Sequence, residues 1–229
     1  MWPGAAARAR VEGALRLASG LHAGDRRQRE PFVNHLLRVA IRILSRYRVR
    51  DSEVGGAALL HDAVEDHASE LAPGGGRDAA LGVLAGRFGQ RVADLVASVT
   101  NPDYEPGRDE HEQYREHVAA SLEASPWARV IKASDFTDNG VGIIHTTGPR
   151  VRRLAAKYGP MVPVLRELIL RPDTPLDGDV KRMIAGQFDT AQGRFAAIWH
   201  DGGLDLTAAP PGNRPRVEGT DSAADRDAR

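Results

Sequence analysis

The 229-residue sequence contains no cysteine, and this absence removes whole classes of chemistry. Disulfide bonds, thiolate zinc sites and cysteine nucleophiles are all excluded. Long apolar runs are missing too: none approaches the roughly 20 residues of a membrane span, and the N-terminus lacks an apolar segment of the signal-peptide kind. We therefore expect a cytoplasmic protein that makes no contact with a membrane.

An excess of charge of one sign is also missing. The 31 basic residues balance 31 acidic ones, so the formal net charge is zero, unlike the basic excess typical of a nucleic-acid-binding protein. Lysine is scarce, with only Lys132, Lys157 and Lys181 among the basic residues. The hydrophobic fraction of 41% is sufficient for one core. The sequence predicts a globular domain without a nucleic-acid partner, and it holds no strong sign of a protein partner.

Apolar residues recur at helical spacing along most of the chain, and no segment alternates convincingly as a β-strand would. This pattern predicts an all-α helical bundle over residues 5–200. Residues 201–229 are rich in Gly, Pro, Ala, Asp and Arg, so we expect a disordered C-terminal tail. The expected helices cover about 5–21, 31–49 (Pro31 in the first turn), 52–66 (capped by Asp51 or Ser52), two short segments broken near Gly89, 109–124, 127–144, 151–170 with a break at Gly159 and Pro160, and 176–199.

The segment from Leu59 to Asp66 carries the densest group of ionisable side chains. On one continuous helix, His61, Asp62, Glu65 and Asp66 would share an arc of about 140°. Three carboxylates side by side on a largely apolar helix repel one another and lose hydration, and a bound cation would reverse that penalty. On this octapeptide alone, a charged solvent face with a capping role for Asp62 or Asp66 explains the pattern equally well.

Two further residues favour the cation. His35 lies near the start of a helix whose remaining face is apolar, and Asp135 ends an apolar stretch that begins at Arg129. Alone, such a histidine is more often a core or capping group, and such an aspartate is more often solvated. The order of the pieces carries more information, because a histidine is followed by a His-Asp pair and then by a distant aspartate.

This order resembles the HD superfamily of metal-dependent phosphohydrolases, and the flanking text resembles the hydrolase domain of RelA/SpoT-type enzymes and small stand-alone alarmone hydrolases. The resemblance extends over about residues 22–145. It rests on four ordered segments: His22-Ala23-Gly24 with Arg26-Arg27 and Glu30-Pro31-Phe32-Val33-Asn34-His35; Ala57 to Asp66; Phe88-Gly89 to Val99-Thr100; and Lys132-Ala133-Ser134-Asp135 with Asn139.

The resemblance implies a role for each matching residue. The implied metal ligands are His35, His61, Asp62 and Asp135. The metal in this branch is usually manganese, although imidazole and carboxylate ligands also suit iron, cobalt or zinc. Glu65 and Asp66 would stand beside the attacking water and accept its proton. Arg26 and Arg27 would contact the nucleotide, and Asn139 would line the nucleoside pocket; without the resemblance, the two arginines would read as a solvated basic loop.

The implied reaction is metal-dependent removal of the 3′-pyrophosphate from guanosine tetra- or pentaphosphate (ppGpp or pppGpp). One departure weakens the substrate assignment: the relatives have a large apolar residue, an arginine and a threonine or aspartate where this chain has Gly140, Val141 and Gly142. Two alternatives therefore stay open. One is an HD nucleotidase or phosphodiesterase with another nucleotide substrate, and the other is a non-catalytic nucleotide-binding module, although such a module would be expected to lose Glu65 or Asp66.

Overall fold

The computed structural model describes residues 4–27, 30–140 and 149–200, and within these ranges the chain is almost entirely helical. The predicted all-α bundle is confirmed. The predicted tail, residues 201–229, lies outside the described residues. The helices are α1 Ala5–Leu21, α2 Val33–Ile41, α3 Ser52–Leu60, α4 Ala63–Leu71, α5 Gly76–Phe88, α6 Gln90–Val99, α7 Glu110–Ala124, α8 Pro126–Asn139, α9 Pro149–Tyr158, α10 Met161–Leu170 and α11 Gly178–His200.

Helix α3 lies at the centre of the N-terminal half and packs against α1, α2, α6 and α8. Every residue of α3 except Glu53 is buried, which explains its lack of a polar face. Asp51 caps its first turn, as predicted, by accepting hydrogen bonds from the backbone N–H groups of Glu53 at 2.9 Å and Val54 at 3.3 Å. The cap fixes the start of the helix that leads directly to His61.

Helix α8 joins the two halves of the bundle, because it packs against α2, α3 and α6 on one side and against α10 and α11 on the other. On the second side, the Phe136 ring meets those of Tyr158 and Phe188 edge-on, at centroid distances of 5.8 and 5.0 Å. The residues of α8 from Ala128 to Thr137 are all buried. Asp135 is therefore held by a helix that is fixed on both sides.

Three predicted breaks and boundaries are confirmed. Helices α5 and α6 meet at Gly89, whose φ of 98° favours glycine. Helix α7 begins after Asp109, whose side chain accepts a hydrogen bond from the Glu112 N–H at 2.7 Å. Helices α9 and α10 are separated at Gly159 and Pro160.

The prediction for the second helix is wrong at both ends. Pro31 is not in its first turn but in a two-residue strand, β2 Glu30–Pro31, which pairs antiparallel with β1 Arg26–Arg27. Strands this short give no alternation that a sequence pattern could reveal. At the other end, α2 passes into a π-helical turn over Arg42–Arg46, in which Tyr47 N–H donates to the Arg42 carbonyl at 3.0 Å, and the helix stops short of Val49.

The prediction of one helix from Ser52 to Asp66 is also wrong, and the error concerns the site directly. Helix α3 ends at Leu60 and α4 begins at Ala63, so His61 and Asp62 form the junction between two helices. Asp62 has φ −95° and ψ −7°, at the edge of the helical region, and its carbonyl accepts the Asp66 N–H at 2.9 Å as α4 begins. The four ionisable residues therefore do not share one helical arc; they converge because the chain turns between them.

Candidate metal centre and nucleotide pocket

His61 lies at the junction between α3 and α4, and one of its two ring nitrogens is engaged in a hydrogen bond. Nδ1 of His61 lies 2.9 Å from the Ala58 carbonyl oxygen, which accepts a hydrogen bond only if Nδ1 carries the proton. Nε2 is then the nitrogen left to coordinate a metal. It lies 3.3 Å from a carboxylate oxygen of Asp62 and 3.8 Å from one of Asp135.

His35 is oriented in the same way by a carboxylate. Its Nδ1 lies 2.8 Å from Asp138 Oδ2, and its Nε2 lies 3.6 Å from Asp62 and 3.4 Å from Asp135. Asp138 is itself held by Arg38 at 2.8 Å and Arg42 at 3.2 Å. Burial raises the pKa of Asp138, but its bonds to His35 and Arg38 outweigh that effect and hold the pKa well below its usual range. A carboxylate behind a histidine ligand is the usual arrangement at metal sites, because it fixes the ring and its tautomer.

The four predicted metal ligands come together in space. His35, His61 and Asp135 bring ligand atoms within 4.8 Å of one another, and Asp62 contacts both histidine nitrogens from outside that group of three. The Nε2 atoms of His35 and His61 are buried and have no hydrogen-bond partner. Two unpartnered imidazole nitrogens beside two carboxylates fit a divalent cation, which would accept the nitrogen lone pairs and balance the negative charge.

The charges around the centre shift the ionisation of its members. Burial lowers the pKa of His61, but the nearby carboxylates of Asp62 and Asp135 outweigh it and raise the pKa to about 9. Lys132 lies 3.1 Å from Asp135 Oδ2 and is buried with it. Burial raises the pKa of Asp135, but Lys132 and the two histidines lower it well below its usual range. Asp135 is therefore a carboxylate anion.

The two predicted catalytic carboxylates lie beside the metal centre, in the lining of one cavity with Asp62 and Asp135. Glu65 is fixed there by Asn101, which donates a hydrogen bond from its side-chain amide at 2.6 Å and another from its backbone N–H at 3.2 Å. Asp66 lines the same cavity. The first turn of α4 thus directs both carboxylates to the same space as the ligands.

The rest of the cavity lining, here called the basic wall, is basic and aromatic. Arg27, Lys132 and Lys157 line it together with Phe32, Tyr114 and Tyr158. The ammonium group of Lys157 lies 4.8 Å from the centre of the Tyr114 ring. Of the two arginines predicted to bind substrate, Arg27 lines the cavity, whereas Arg26 is exposed on β1 and is not among the lining residues.

Asn139 lines the cavity, where a nucleoside contact was predicted, and it also makes a hydrogen bond within the protein. Its Nδ2 donates to Asp135 Oδ1 at 2.6 Å, while its Oδ1 is buried without a hydrogen-bond partner among the described residues. The next residue, Gly140, packs so closely on Phe136 that an added Cβ would lie 2.7 Å from Cζ of the ring. Val141 and Gly142 lie outside the described residues.

Sequence reasoning did not single out four residues that shape this site: Asn101, Tyr114, Lys157 and Asp138. The spacing of Asp138 could have indicated it, since it follows Asp135 by three residues, nearly one helical turn. Lys157 also had a signal, because it is one of only three lysines in an arginine-rich chain, and two of those three line the cavity. Asn101 and Tyr114 reach the site only through the packing of α6 and α7, which no local pattern reports.

Comparisons with known proteins agree with this geometry. The profile of the family described as "HD domain" matches residues 14–125. The curated guanosine-3′,5′-bis(diphosphate) 3′-pyrophosphohydrolase MESH1 of Drosophila melanogaster is 31% identical over 128 residues, which cover 55% of this chain and 64% of that protein. Its Danio rerio counterpart is 36% identical over 106 residues, covering 46% of this chain and 51% of that protein. The chain thus spans between about half and two thirds of the length of these relatives.

A solved structure has the same fold. It is described as a metazoan orthologue of SpoT that hydrolyses ppGpp, and it superimposes with a TM-score of 0.56 at 22% identity, covering 89% of this chain and 99% of that one. No helix within the described residues is long and apolar enough to cross a membrane. The resemblance to the HD superfamily noted in the motifs is confirmed by these matches.

Proposed function

We propose that the protein is a metal-dependent phosphohydrolase that removes the 3′-pyrophosphate from guanosine tetra- or pentaphosphate. The observation that carries the proposal is the pair of buried, unpartnered Nε2 atoms of His35 and His61, which face two carboxylates at the edge of a cavity. The curated relatives are named for this reaction. A non-catalytic binding module would have no need for two further carboxylates, Glu65 and Asp66, next to such a centre.

In this proposal His35, His61, Asp62 and Asp135 hold one divalent cation, with manganese favoured by the resemblance. When bound, the cation lowers the pKa of a water molecule and stabilises the charge that develops on the phosphate. Asp138 and the Ala58 carbonyl keep the protons of the two histidines on Nδ1, so that both Nε2 lone pairs face the cation. Lys132 balances the charge of Asp135, which Asn139 also holds in place.

Glu65 is the proposed general base. The two hydrogen bonds from Asn101 fix the position of its carboxylate but do not protonate it, so it can accept a proton from the attacking water. Asp66, one residue further on, lines the same cavity. It is the second proposed carboxylate and would share the handling of that proton.

The basic wall is the proposed site for the phosphates. Arg27 and Lys157 offer cationic groups in the cavity, and a pyrophosphate carries enough negative charge to be attracted by both. Phe32, Tyr114 and Tyr158 supply aromatic surface on which a purine or ribose can pack. A nucleotide with a pyrophosphate arm is therefore a better match to this cavity than a phosphoprotein or a simple phosphate ester.

The decisive experiment is to incubate the manganese-loaded protein with a panel of nucleotides and to identify the products by chromatography and mass spectrometry. We expect guanosine tetraphosphate to yield GDP and pyrophosphate, and the His61→Ala variant, which lacks a ligand, to yield neither. Release of a different leaving group, or turnover of another nucleotide only, would assign the protein to the alternative HD nucleotidase or phosphodiesterase class. No turnover of any nucleotide by a protein that holds its metal would contradict the proposal.

A further inference from the structure

A second group of metal-ligating side chains contacts Phe32, whose ring also contacts His35 of the proposed metal centre. His22 follows the last residue of α1, Asp25 lies in the loop that leads to β1, and His67 is in α4. Nδ1 of His22 and Nε2 of His67 lie 2.8 and 2.7 Å from the same oxygen of Asp25, and the two nitrogens are 3.1 Å apart. None of these residues belongs to the proposed metal centre.

The spacing of these three atoms matches a ligand set. Ligand atoms that lie about 2.0–2.2 Å from a cation, at right angles to one another, are separated by about 2.8–3.1 Å. The three measured separations, 2.7, 2.8 and 3.1 Å, form a triangle of nearly this size. Two imidazoles and one carboxylate on one face of a cation form a recurrent binding arrangement that leaves the opposite positions open.

Hydrogen bonding alone accounts for this triangle less well. If both nitrogens donate protons to Asp25, two N–H groups with the same polarity lie side by side at 3.1 Å. If only one donates, Asp25 and the second histidine bring acceptor lone pairs to a separation of 2.7 or 2.8 Å. A divalent cation resolves both cases, because all three atoms then direct lone pairs at the same positive charge.

The surroundings have the other features of a metal site. Nδ1 of His67, the nitrogen that does not face Asp25, has no hydrogen bond but lies 3.4 Å from a carboxylate oxygen of Glu70, so negative charge lies near this ligand. The side chain of His22 is fully buried, and its ring stacks on Phe32 with a centroid distance of 4.6 Å. Asp25 is 32% exposed and provides a path by which an ion can enter.

The backbone of α4 changes direction at the residue that completes the group. His67 has φ −133° and ψ 31°, which interrupts the helical conformation within α4. No proline or glycine lies in α4 to cause such a break, so the conformation of His67 is set by contacts that this residue makes. Here the side chain reaches across to Asp25.

We infer that His22, Asp25 and His67 bind a second divalent transition-metal ion, separate from the proposed catalytic one. This ion would join the segment that carries Arg27 to the helix that carries Glu65 and Asp66. Its role would therefore be to fix the phosphate-binding arginine relative to the proposed general base. The inference concerns metal binding only, so it stands or falls independently of the proposed phosphohydrolase activity.

The test is a count of bound metal in the full-length protein. Bound metal is removed from the protein with a chelator, and the protein is then loaded with Co²⁺ or Zn²⁺. After excess ion is removed, the bound metal is measured by elemental mass spectrometry. We expect two equivalents in the parent protein, one in His67→Gln, one in His61→Ala and none in the double variant. His111→Gln, which changes a histidine outside both groups, serves as the matched control and should keep two.

The Co²⁺ form gives a second readout, because the visible absorption of each ion depends on its ligands. The absorption that the parent protein shows and the His67→Gln protein lacks should also be absent from Asp25→Asn. That change removes the only anionic ligand of the group while keeping the size of the side chain. Circular dichroism establishes that each variant is folded; should His67→Gln fail to fold, Asp25→Asn decides. A metal content that stays at the parent value in folded His67→Gln and Asp25→Asn would overturn the inference, whatever the number of equivalents in the parent protein.

Discussion

Asp138 Oδ2 lies 2.8 Å from Nδ1 of His35, and this contact determines which nitrogen of the His35 ring is offered to a metal. The same carboxylate is bound by Arg38 and Arg42, so it cannot easily follow a change of the ring. The sequence motif includes Asp135 but not Asp138. The structure shows that both aspartates of α8 face the centre, one toward the histidine nitrogens and the other behind a histidine.

The Asp138→Asn variant tests this arrangement. The amide keeps the size of the carboxylate but loses its charge, and one half of it would present a donor to the Nδ1–H of His35. We expect manganese affinity to fall by about 10–100-fold, the usual effect of losing such a partner. Isothermal titration with Mn²⁺ measures it. Asp189→Asn, which removes an exposed carboxylate paired with Arg166, should leave the affinity unchanged.

Glu65→Gln separates metal binding from chemistry. The substitution keeps the size of the side chain and removes its basicity, so the metal content should stay the same while kcat falls by roughly 10²–10⁴-fold. Metal analysis and turnover are measured on the same preparation. Full activity with unchanged metal would transfer the role of general base to Asp66.

Asn101→Ala provides a milder probe of the same carboxylate. It removes the 2.6 Å side-chain bond to Glu65 but leaves the backbone bond in place. We expect kcat to fall, by less than in Glu65→Gln, with the metal content unchanged. An Asn101→Ala protein with parental kcat would mean that the position of Glu65 does not depend on Asn101.

Metal binding should release a proton near neutral pH. The pKa of His61 is raised to about 9 in the metal-free protein, so its ring is protonated at pH 7 and must lose that proton to coordinate. Affinity should rise up to about tenfold per pH unit below that pKa. Calorimetry in two buffers of different ionisation enthalpy counts the protons, and we expect about one per ion at this centre. No release at pH 7 would contradict the protonated state.

The raised pKa of His61 also makes the stability of the metal-free protein depend on pH. A histidine whose folded pKa lies above its unfolded value of about 6.5 contributes stability that is fully present below that value. This contribution is lost as the pH rises through about 9. The metal-free protein should therefore unfold more easily at pH 9 than at pH 6.5 on account of this group, and His61→Ala should lack this part of the pH dependence.

The sequence predicted which side chains come together better than it predicted the path of the chain between them. The family motif identified His35, His61, Asp62 and Asp135, and the structure brings these side chains together. The single helix predicted from Ser52 to Asp66 was wrong, because helical periodicity does not report a turn of two residues between two buried helices. The residues at that turn, His61 and Asp62, are the ones that the prediction placed inside one helix.

Residues that act through other residues were harder to predict. Asn101 and Tyr114 have no spacing relation to the motif, and they reach the site because α6 and α7 pack beside α8. The pairing of Asp25 with His67 joins positions 42 residues apart and depends on the break within α4. Such contacts are properties of the tertiary structure, and one sequence without an alignment does not contain them.

Arg27 and Arg26 form a matched pair for a test of the phosphate site. Arg27 lines the cavity and lies 5.9 Å from the centre of the Phe32 ring, whereas Arg26 is exposed on the same short strand. We expect Arg27→Ala to raise KM for guanosine tetraphosphate about tenfold or more, the loss of one charge-assisted contact. Arg26→Ala should have a much smaller effect. Equal effects would mean that both arginines contact the substrate.

Gly140, which follows Asn139, bears on how the enzyme recognises the base of its substrate. Relatives have a large apolar residue at this position, but here a Cβ would already lie 2.7 Å from the Phe136 ring, so no larger side chain fits without moving that ring. The wall after Asn139 is therefore formed differently from that of the relatives. We expect the enzyme to hydrolyse the pyrophosphate with weaker base discrimination than the relatives show.

The measurement is kcat/KM for guanosine tetraphosphate against its adenosine counterpart. An unpaired polar group in a buried site costs about 1–3 kcal/mol, so a pocket with several groups matched to guanine would discriminate strongly. With one amide N–H of Asn139 engaged by Asp135, its second N–H and its Oδ1 are left to meet a base edge, which corresponds to one bidentate contact. A preference for guanosine above about a thousandfold, roughly 4 kcal/mol, would require additional base-reading groups and would contradict this expectation. Failure to cleave either compound, together with turnover of a different nucleotide, would instead assign the enzyme to another HD activity.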